Sequence, residues 1–292
     1  MPSRPPADLP RLEPRDPAAS KRDFGRVVVV GGSVGMAGAP ALAAMAALRS
    51  GAGLVELLVP EPVAAIAAGF DPCVMTRGLP AADDGTLAPA AGAMIAAAAV
   101  RAAALAVGPG LGRSDSVRQI VLDLWRGVET PAVFDADALW PLGTAGSLEA
   151  HAGPRLLTPH AGEMLRLIGM EASAAEADDR AFLERHARGL ASTLDAVVLL
   201  KGAGTLVTDG RHESRNPTGN PGMATAGTGD VLTGVTAALL AQGMPVRDAA
   251  RLAAWLHGRA GDVAAAERGQ VSMTARDLLD RLYVAFQQIN SA

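Results

Sequence analysis

The chain has 292 residues, 49% of them apolar, and a formal net charge of −4. That length supports a sizeable buried core, and the negative balance leaves no basic field for nucleic acid or an anionic membrane surface. The single cysteine, Cys73, rules out an internal disulfide and a cysteine-rich zinc cage, so a cytoplasmic protein acting on a small molecule is expected.

Residues 1–24 are rich in proline and charge, lack the apolar stretch of a secretory signal, and are expected to form a flexible tail. From residue 25 to 292 a single domain is expected. Short β-branched runs alternate with Ala/Leu-rich helical ones: RVVVV, APALAAMAALRSG, LVELLVP, then LAVG, SVRQIVLDLWRG and PAVFDAD. Such alternation predicts βαβ units around a mostly parallel sheet covered by helices on both faces. The runs PRLLTPH, AVVLLKG, TLVTDG and RHESRNP predict further strands, the last three in antiparallel turns. Helices are expected at about 228–242, 246–266 and 274–289. The Ala-rich stretch AGAMIAAAAVRAAALAVG is broken by Arg101 and falls short of the ~20 apolar residues a membrane span needs.

In open α/β sheets ligands bind beyond the carboxyl ends of the strands. Five polar or Gly-rich segments occupy such ends: GGSVGMAGA, GPGLGR, DADAL, TPHAGE and KGAGT. The first is no dinucleotide fingerprint, because Gly32, Gly35 and Gly38 space as G-x-x-G-x-x-G instead of G-x-G-x-x-G. No P-loop motif occurs anywhere.

The stretch ATAGTGD precedes a helix. Gly227 and Gly229 let the backbone turn, and the N–H groups at Thr228, Gly229 and Asp230 would stand uncapped, as an anion site requires. Asp230 has two roles open to it there. It can simply complement the positive helix end, or it can take a proton from a substrate hydroxyl while the amides of Gly227, Thr228 and Gly229 receive a phosphoryl group. Lys201, opening KGAGT, is either a phosphate-binding cation or a surface lysine. His160 stands beside a helix start where Thr158 could cap and Glu163 could complete a capping box. His257 and Trp255 are read as core. Asp135 and Asp137 could touch ligand or water, or cap the next helix.

Together, VVVVGGSVGMAGAPALAAMAALRSGAGLVELLVP, AVGPGLGR, PAVFDADAL, LLTPHAGEMLRLIG, VVLLKGAGTLVTDG and NPTGNPGMATAGTGDVLTGVTAALLAQG resemble the NAD(P)H-hydrate dehydratase family. The resemblance runs from about Gly25 to Gln288 and implies a ribokinase-like three-layer α/β/α fold. It also implies repair of the 6S epimer of hydrated NADH or NADPH, with ADP or ATP phosphorylating the ring hydroxyl before phosphate is lost. By correspondence, Ala39, Gly110 and His160 would contact the hydrate, with Asp230 as the base. Lys201, Gly202, Ala203, Gly204, Thr205 and Gly229 would hold the adenine nucleotide. Mg²⁺ is expected, though no acidic cluster marks its ligands. A homotetramer and a separate epimerase are further expectations, since 24 residues are too few for a fused epimerase domain. Two alternatives remain at this level: a ribokinase-like small-molecule alcohol kinase, and a nucleotide-binding regulator that has lost catalysis.

Overall fold

The computed structural model describes residues 5–143, 150–170 and 177–290. Strands β1 (Arg26–Val30), β2 (Leu54–Pro60), β3 (Met75–Leu79), β4 (Ala104–Val107), β5 (Ala132–Phe134), β6 (Arg155–Leu157) and β7 (Val197–Leu200) run parallel. Strands β8 (Leu206–Thr208) and β9 (Glu213–Arg215) add antiparallel, and the sheet order is β3-β2-β1-β4-β5-β6-β7-β8-β9. The period-two geometry of β1 splits its valines between two cores. Val27 and Val29 face the helices α1 (Gly38–Arg49), α7 (Thr228–Ala241) and α8 (Val246–Arg268). Val28 and Val30 face α3 (Ala91–Ala99) and α4 (Asp115–Gly127). Strands buried on both faces explain the unbroken apolar runs.

The edge strand β3, MTRGL, has no counterpart among the sequence expectations. Only Leu79 of its five residues is buried and only Thr76 is β-branched, so pairing with β2 makes it a strand. The expected third C-terminal helix is two helices, α9 (Ala275–Leu279) and α10 (Leu282–Asn290). Arg281 sits at the break, and its Nε donates to Glu267 at 2.7 Å, tying the turn to the end of α8. Residues 5–24, expected as a loose tail, lie against the body. Leu9 is buried in the core that includes α8 and α10, Asp8 pairs with Arg251, and the Arg15 guanidinium stacks 3.8 Å from the Phe24 ring. Apolar Leu9 and Leu12, among prolines and charges too sparse to score as a helix or strand, explain why sequence periodicity misses this packing.

Alanine-rich α1 and α7 approach closely because neither carries bulk at the seam. A β-carbon on Gly234 would stand 2.0 Å from the Ala43 carbonyl oxygen. Gly234→Ala is therefore expected to destabilise the protein by about 1–3 kcal/mol, outweighing the gain in helix propensity. An unchanged urea midpoint would contradict this contact.

Candidate active site

Strands β1, β4, β5, β6 and β7 are consecutive neighbours, so the five segments that follow them share one edge of the sheet. The first two loops interlock. The Gly32 amide donates to the Pro109 carbonyl at 2.9 Å, and the Ser33 hydroxyl donates to the Gly110 carbonyl at 2.9 Å. A β-carbon on Gly110 would meet the Met36 carbonyl oxygen at 2.9 Å and the Ala39 side chain at 3.3 Å. Ala39 and Gly110 thus adjoin, and Val34 and Met36 present apolar side chains to solvent beside them, 60% and 49% exposed. Asp137 braces the second loop by accepting from the Gly112 amide at 3.0 Å and pairing with Arg113.

Asp135 closes β5 and is followed by Ala136 in the left-handed region, φ 50°, a conformation rare outside glycine. Its carboxylate is 1% exposed and accepts from Lys201 Nζ at 2.8 Å and from the Thr233 hydroxyl on α7 at 2.6 Å. Burial alone would raise this carboxyl, but Lys201 and the hydroxyls of Thr233 and Thr158 hold it below the ordinary carboxylate range. Neither Asp135 nor Asp137 caps the following 3-10 turn, Ala136–Leu139, with its side chain.

His160, not Thr158, caps helix α5 (Ala161–Leu167). Its Nδ1 accepts from the Gly162 and Glu163 amides at 3.0 and 3.3 Å, and Glu163 accepts from the His160 amide at 2.8 Å. Thr158 is instead buried, with its hydroxyl turned to the Phe134 carbonyl. With Nδ1 accepting, Nε2 carries the proton, and the ring is 54% exposed. Burial, with Lys201 and Arg166 nearby, outweighs Glu163 and lowers the His160 pKa, so the half-exposed ring is neutral, with Nε2 standing 3.3 Å from the Glu163 carboxylate.

Lys201 is no surface lysine. Besides Asp135 its ammonium stands 3.5 Å from Glu163, and it lies 3.5 Å from where a Gly229 β-carbon would be. Burial pulls its pKa down, yet Asp135 and Glu163 outweigh that and hold it above the usual lysine value. The cation therefore points under the first turn of α7, while Gly202, Ala203 and Gly204 form the exposed part of the loop. Thr205 closes that loop with its hydroxyl on the Gly202 carbonyl at 3.0 Å. Arg180, at the start of helix α6 (Arg180–Leu194), supports it from below by donating to the carbonyls of Lys201, Leu200 and Gly204. Sequence reasoning did not select Arg180 or Thr233, since neither stands in a glycine-rich loop.

Gly227, at φ 89°, precedes α7, and no side chain caps that helix. The Thr228 hydroxyl is occupied by the Met223 and Thr225 carbonyls, so the first amides of α7 remain available to an anion. His257, expected as core, also serves this turn: its Nε2 lies 2.8 Å from the Thr228 carbonyl, and burial pushes its pKa down to about 4, so it is neutral and donates. Asp230, partly buried two residues beyond Thr228, is pushed up to about 7 by burial first and then by Asp135, Asp137 and Glu163, against the opposing pull of Lys201. A carboxyl so placed exchanges its proton near neutral pH, as a general base requires.

A family model described as NAD(P)H-hydrate dehydratase matches residues 27–283. The chain belongs to the NAD(P)H-hydrate dehydratase family. It is 46% identical over 279 residues to the bifunctional NAD(P)H-hydrate repair enzyme of Moorella thermoacetica, covering 94% of this chain and 51% of that one. The chain thus spans about half the length of the curated relatives it matches first. It is 36% identical over 274 residues to the ADP-dependent (S)-NAD(P)H-hydrate dehydratase of Neisseria meningitidis, covering 90% of this chain and 87% of that one. Among solved structures, the Bacillus subtilis ADP/ATP-dependent NAD(P)H-hydrate dehydratase co-crystallised with ATP and Mg²⁺ superposes with a TM-score of 0.79. It is 29% identical, and the match covers 94% of each chain. The fold of this dehydratase-family chain is the ribokinase-like one. No helix of the described residues is long and apolar enough to cross a membrane.

An open groove of about 1360 Å³ lies elsewhere, between residues 10–24 and the segments around Arg49, Gln242 and Tyr283. These segments precede β1 and β2 or follow α7, which puts the groove at the opposite edge of the sheet from Asp230.

Proposed function

We propose that the protein dehydrates the 6S epimer of hydrated NADH or NADPH, with ADP or ATP as phosphoryl donor. The observation that carries this reading is Asp230, a carboxyl raised to about 7 beside an uncapped helix N-terminus with the Lys201 ammonium beneath the same turn. Water is a poor leaving group from the hydrated ring, and a phosphate ester is a good one. Asp230 takes the proton of the ring hydroxyl as its oxygen attacks the terminal phosphorus of the donor, whose bridging P–O bond breaks. The amides at Gly227, Thr228 and Gly229, with Lys201, stabilise the negative charge on the migrating group. The ring nitrogen lone pair expels inorganic phosphate to leave an iminium ion, and loss of a proton from the adjacent ring carbon to water then restores the dihydropyridine. Ala39, Gly110 and the half-exposed ring of His160 hold the hydrate; Lys201 to Thr205 with Gly229 hold the adenine nucleotide.

Magnesium ion belongs with the nucleotide in this proposal. Among the described residues no group of three or more His, Cys, Asp or Glu side chains is placed to hold a metal, and Asp135 and Glu163 are already engaged by Lys201. The ion would sit on the nucleotide phosphates, with water completing its shell, and would neutralise their charge. On the family resemblance, the protein acts as a cytoplasmic homotetramer alongside an NAD(P)H-hydrate epimerase.

Incubation with hydrated NADH or NADPH, Mg²⁺ and either ADP or ATP is expected to restore the reduced-nicotinamide absorbance and release inorganic phosphate. A stable phosphorylated alcohol, or no reaction with either donor, would overturn the proposal. Because Asp230 must be ionised to act, kcat/KM is expected to climb with pH and level off above about 7. A pH–rate profile flat between pH 5 and pH 8, values on either side of that midpoint, would remove Asp230 from the proton transfer.

A further inference from the structure

Asp135 joins several segments of the site, from β4 to α7. Its backbone amide donates to the Val107 carbonyl at 3.0 Å, and its carbonyl fills the space that a β-carbon on Gly108 would need. Its carboxylate takes Lys201 from the end of β7 on one oxygen and Thr233 from α7 on the other. At 1% exposure it has no open path to a ligand, and its Oδ2 lies 3.9 Å from where a Gly229 β-carbon would stand. We propose that Asp135 is a positioning residue, which holds the Lys201 ammonium and the first turns of α7 in fixed relation at the edge where Asp230 acts. This rests on the functional reading above and adds a residue to it.

A buried ion pair kept only for stability would be a weak device, since well-packed apolar residues usually replace one without loss. Here the pair aims its cation at the anion-binding turn, and the second oxygen grips the helix carrying the base. The charged and titratable groups facing Asp230 are Asp135 from the end of β5, Asp137 from the 3-10 turn, Lys201 from the end of β7 and Glu163 from α5. Helix α8 contributes His257, which burial keeps neutral. Removing the Asp135 charge would take one anion away from Asp230 and release Lys201 to favour its ionised form.

The test compares wild type with Asp135→Asn, both labelled with carbon-13 at the aspartate carboxyls and titrated from about pH 4 to about pH 9. The Asp230 signal is identified by its disappearance in Asp230→Asn. Its midpoint is expected to fall by at least about 1 unit in Asp135→Asn, and the acid limb of kcat/KM to move with it. A midpoint and limb that stay in place in the folded variant would overturn the proposal. Should Asp135→Asn not fold, Thr233→Val decides. It keeps both charges and removes the grip on α7, so kcat is expected to drop about 10-fold at unchanged nucleotide KM, with Thr233→Ser restoring it. Full kcat in Thr233→Val would count against the proposal. A wild type inert toward hydrated cofactor counts against the functional reading alone, and the carboxyl titration then decides the role of Asp135.

Discussion

Asp230→Asn is expected to bind adenine nucleotide as wild type does and to lose at least about 10²-fold in turnover, the lower range for removal of a general base. The amide keeps the shape of the carboxyl and its place in the first turn of α7, so the anion-binding amides are undisturbed. What it cannot do is accept the proton of the ring hydroxyl. The same substitution carries a second, activity-independent signature. The folded-state pKa of Asp230, about 7, lies above its unfolded value, so the folded protein favours the protonated form and loses stability as pH climbs from the ordinary carboxylate value to about 7. An uncharged side chain escapes that loss. Asp230→Asn is therefore expected to be more stable than wild type at pH 8 and level with it in acid, by urea unfolding at both pH values. Near-wild-type turnover would take Asp230 out of the mechanism, and equal stability at both pH values would contradict its burial.

Lys201→Ala is expected to cost about 3–5 kcal/mol in stability, far beyond the effect of removing a phosphate-binding surface charge. The reason is the partner left behind. Asp135, 1% exposed, would retain only hydroxyl donors, and its carboxylate would either stay buried without a counter-charge or take up a proton. Pairing the change with Asp135→Asn is expected to recover most of the loss, because the double variant buries no unpaired charge. A denaturation midpoint for Lys201→Ala close to wild type would show that the pair does not stand in the low-dielectric setting described. Nucleotide affinity should fall in both variants, and calorimetric titration separates that effect from unfolding.

The difference between these two expectations follows what the sequence can express. The turn before α7 is readable because its chemistry is local: two glycines, a threonine and an aspartate at the start of an apolar helix already describe an uncapped N-terminus. Much of the order of strand, loop and helix was equally readable from periodicity, but the helices Glu61–Ala68, Ala91–Ala99 and Arg180–Leu194 and the edge strand Met75–Leu79 were not among the elements expected. Residues 5–24 and the break at Arg281 were missed because each depends on one or two contacts with distant elements, Leu9 with the core and Arg281 with Glu267. Lys201 shows the boundary well. Its position in KGAGT marks a strand end, yet nothing within the loop tells whether its ammonium faces solvent or the interior.

By itself the sequence determined a mostly parallel α/β sheet, the five segments at its carboxyl edge, and an aspartate in the first turn of an uncapped helix. These follow from repeats of two and 3.6 residues and from backbone freedom at glycine, all properties of short stretches. Only the tertiary structure decided how the charges are shared. Lys201 reaches Asp135 across 66 residues of chain, and Thr233 reaches it across 98. Which ionisable groups become neighbours, and how far water is excluded from them, depends on the order of strands in the sheet. That same order sets Asp230 among Asp135, Asp137 and Glu163, and so makes an ordinary carboxyl into one that exchanges its proton near neutral pH.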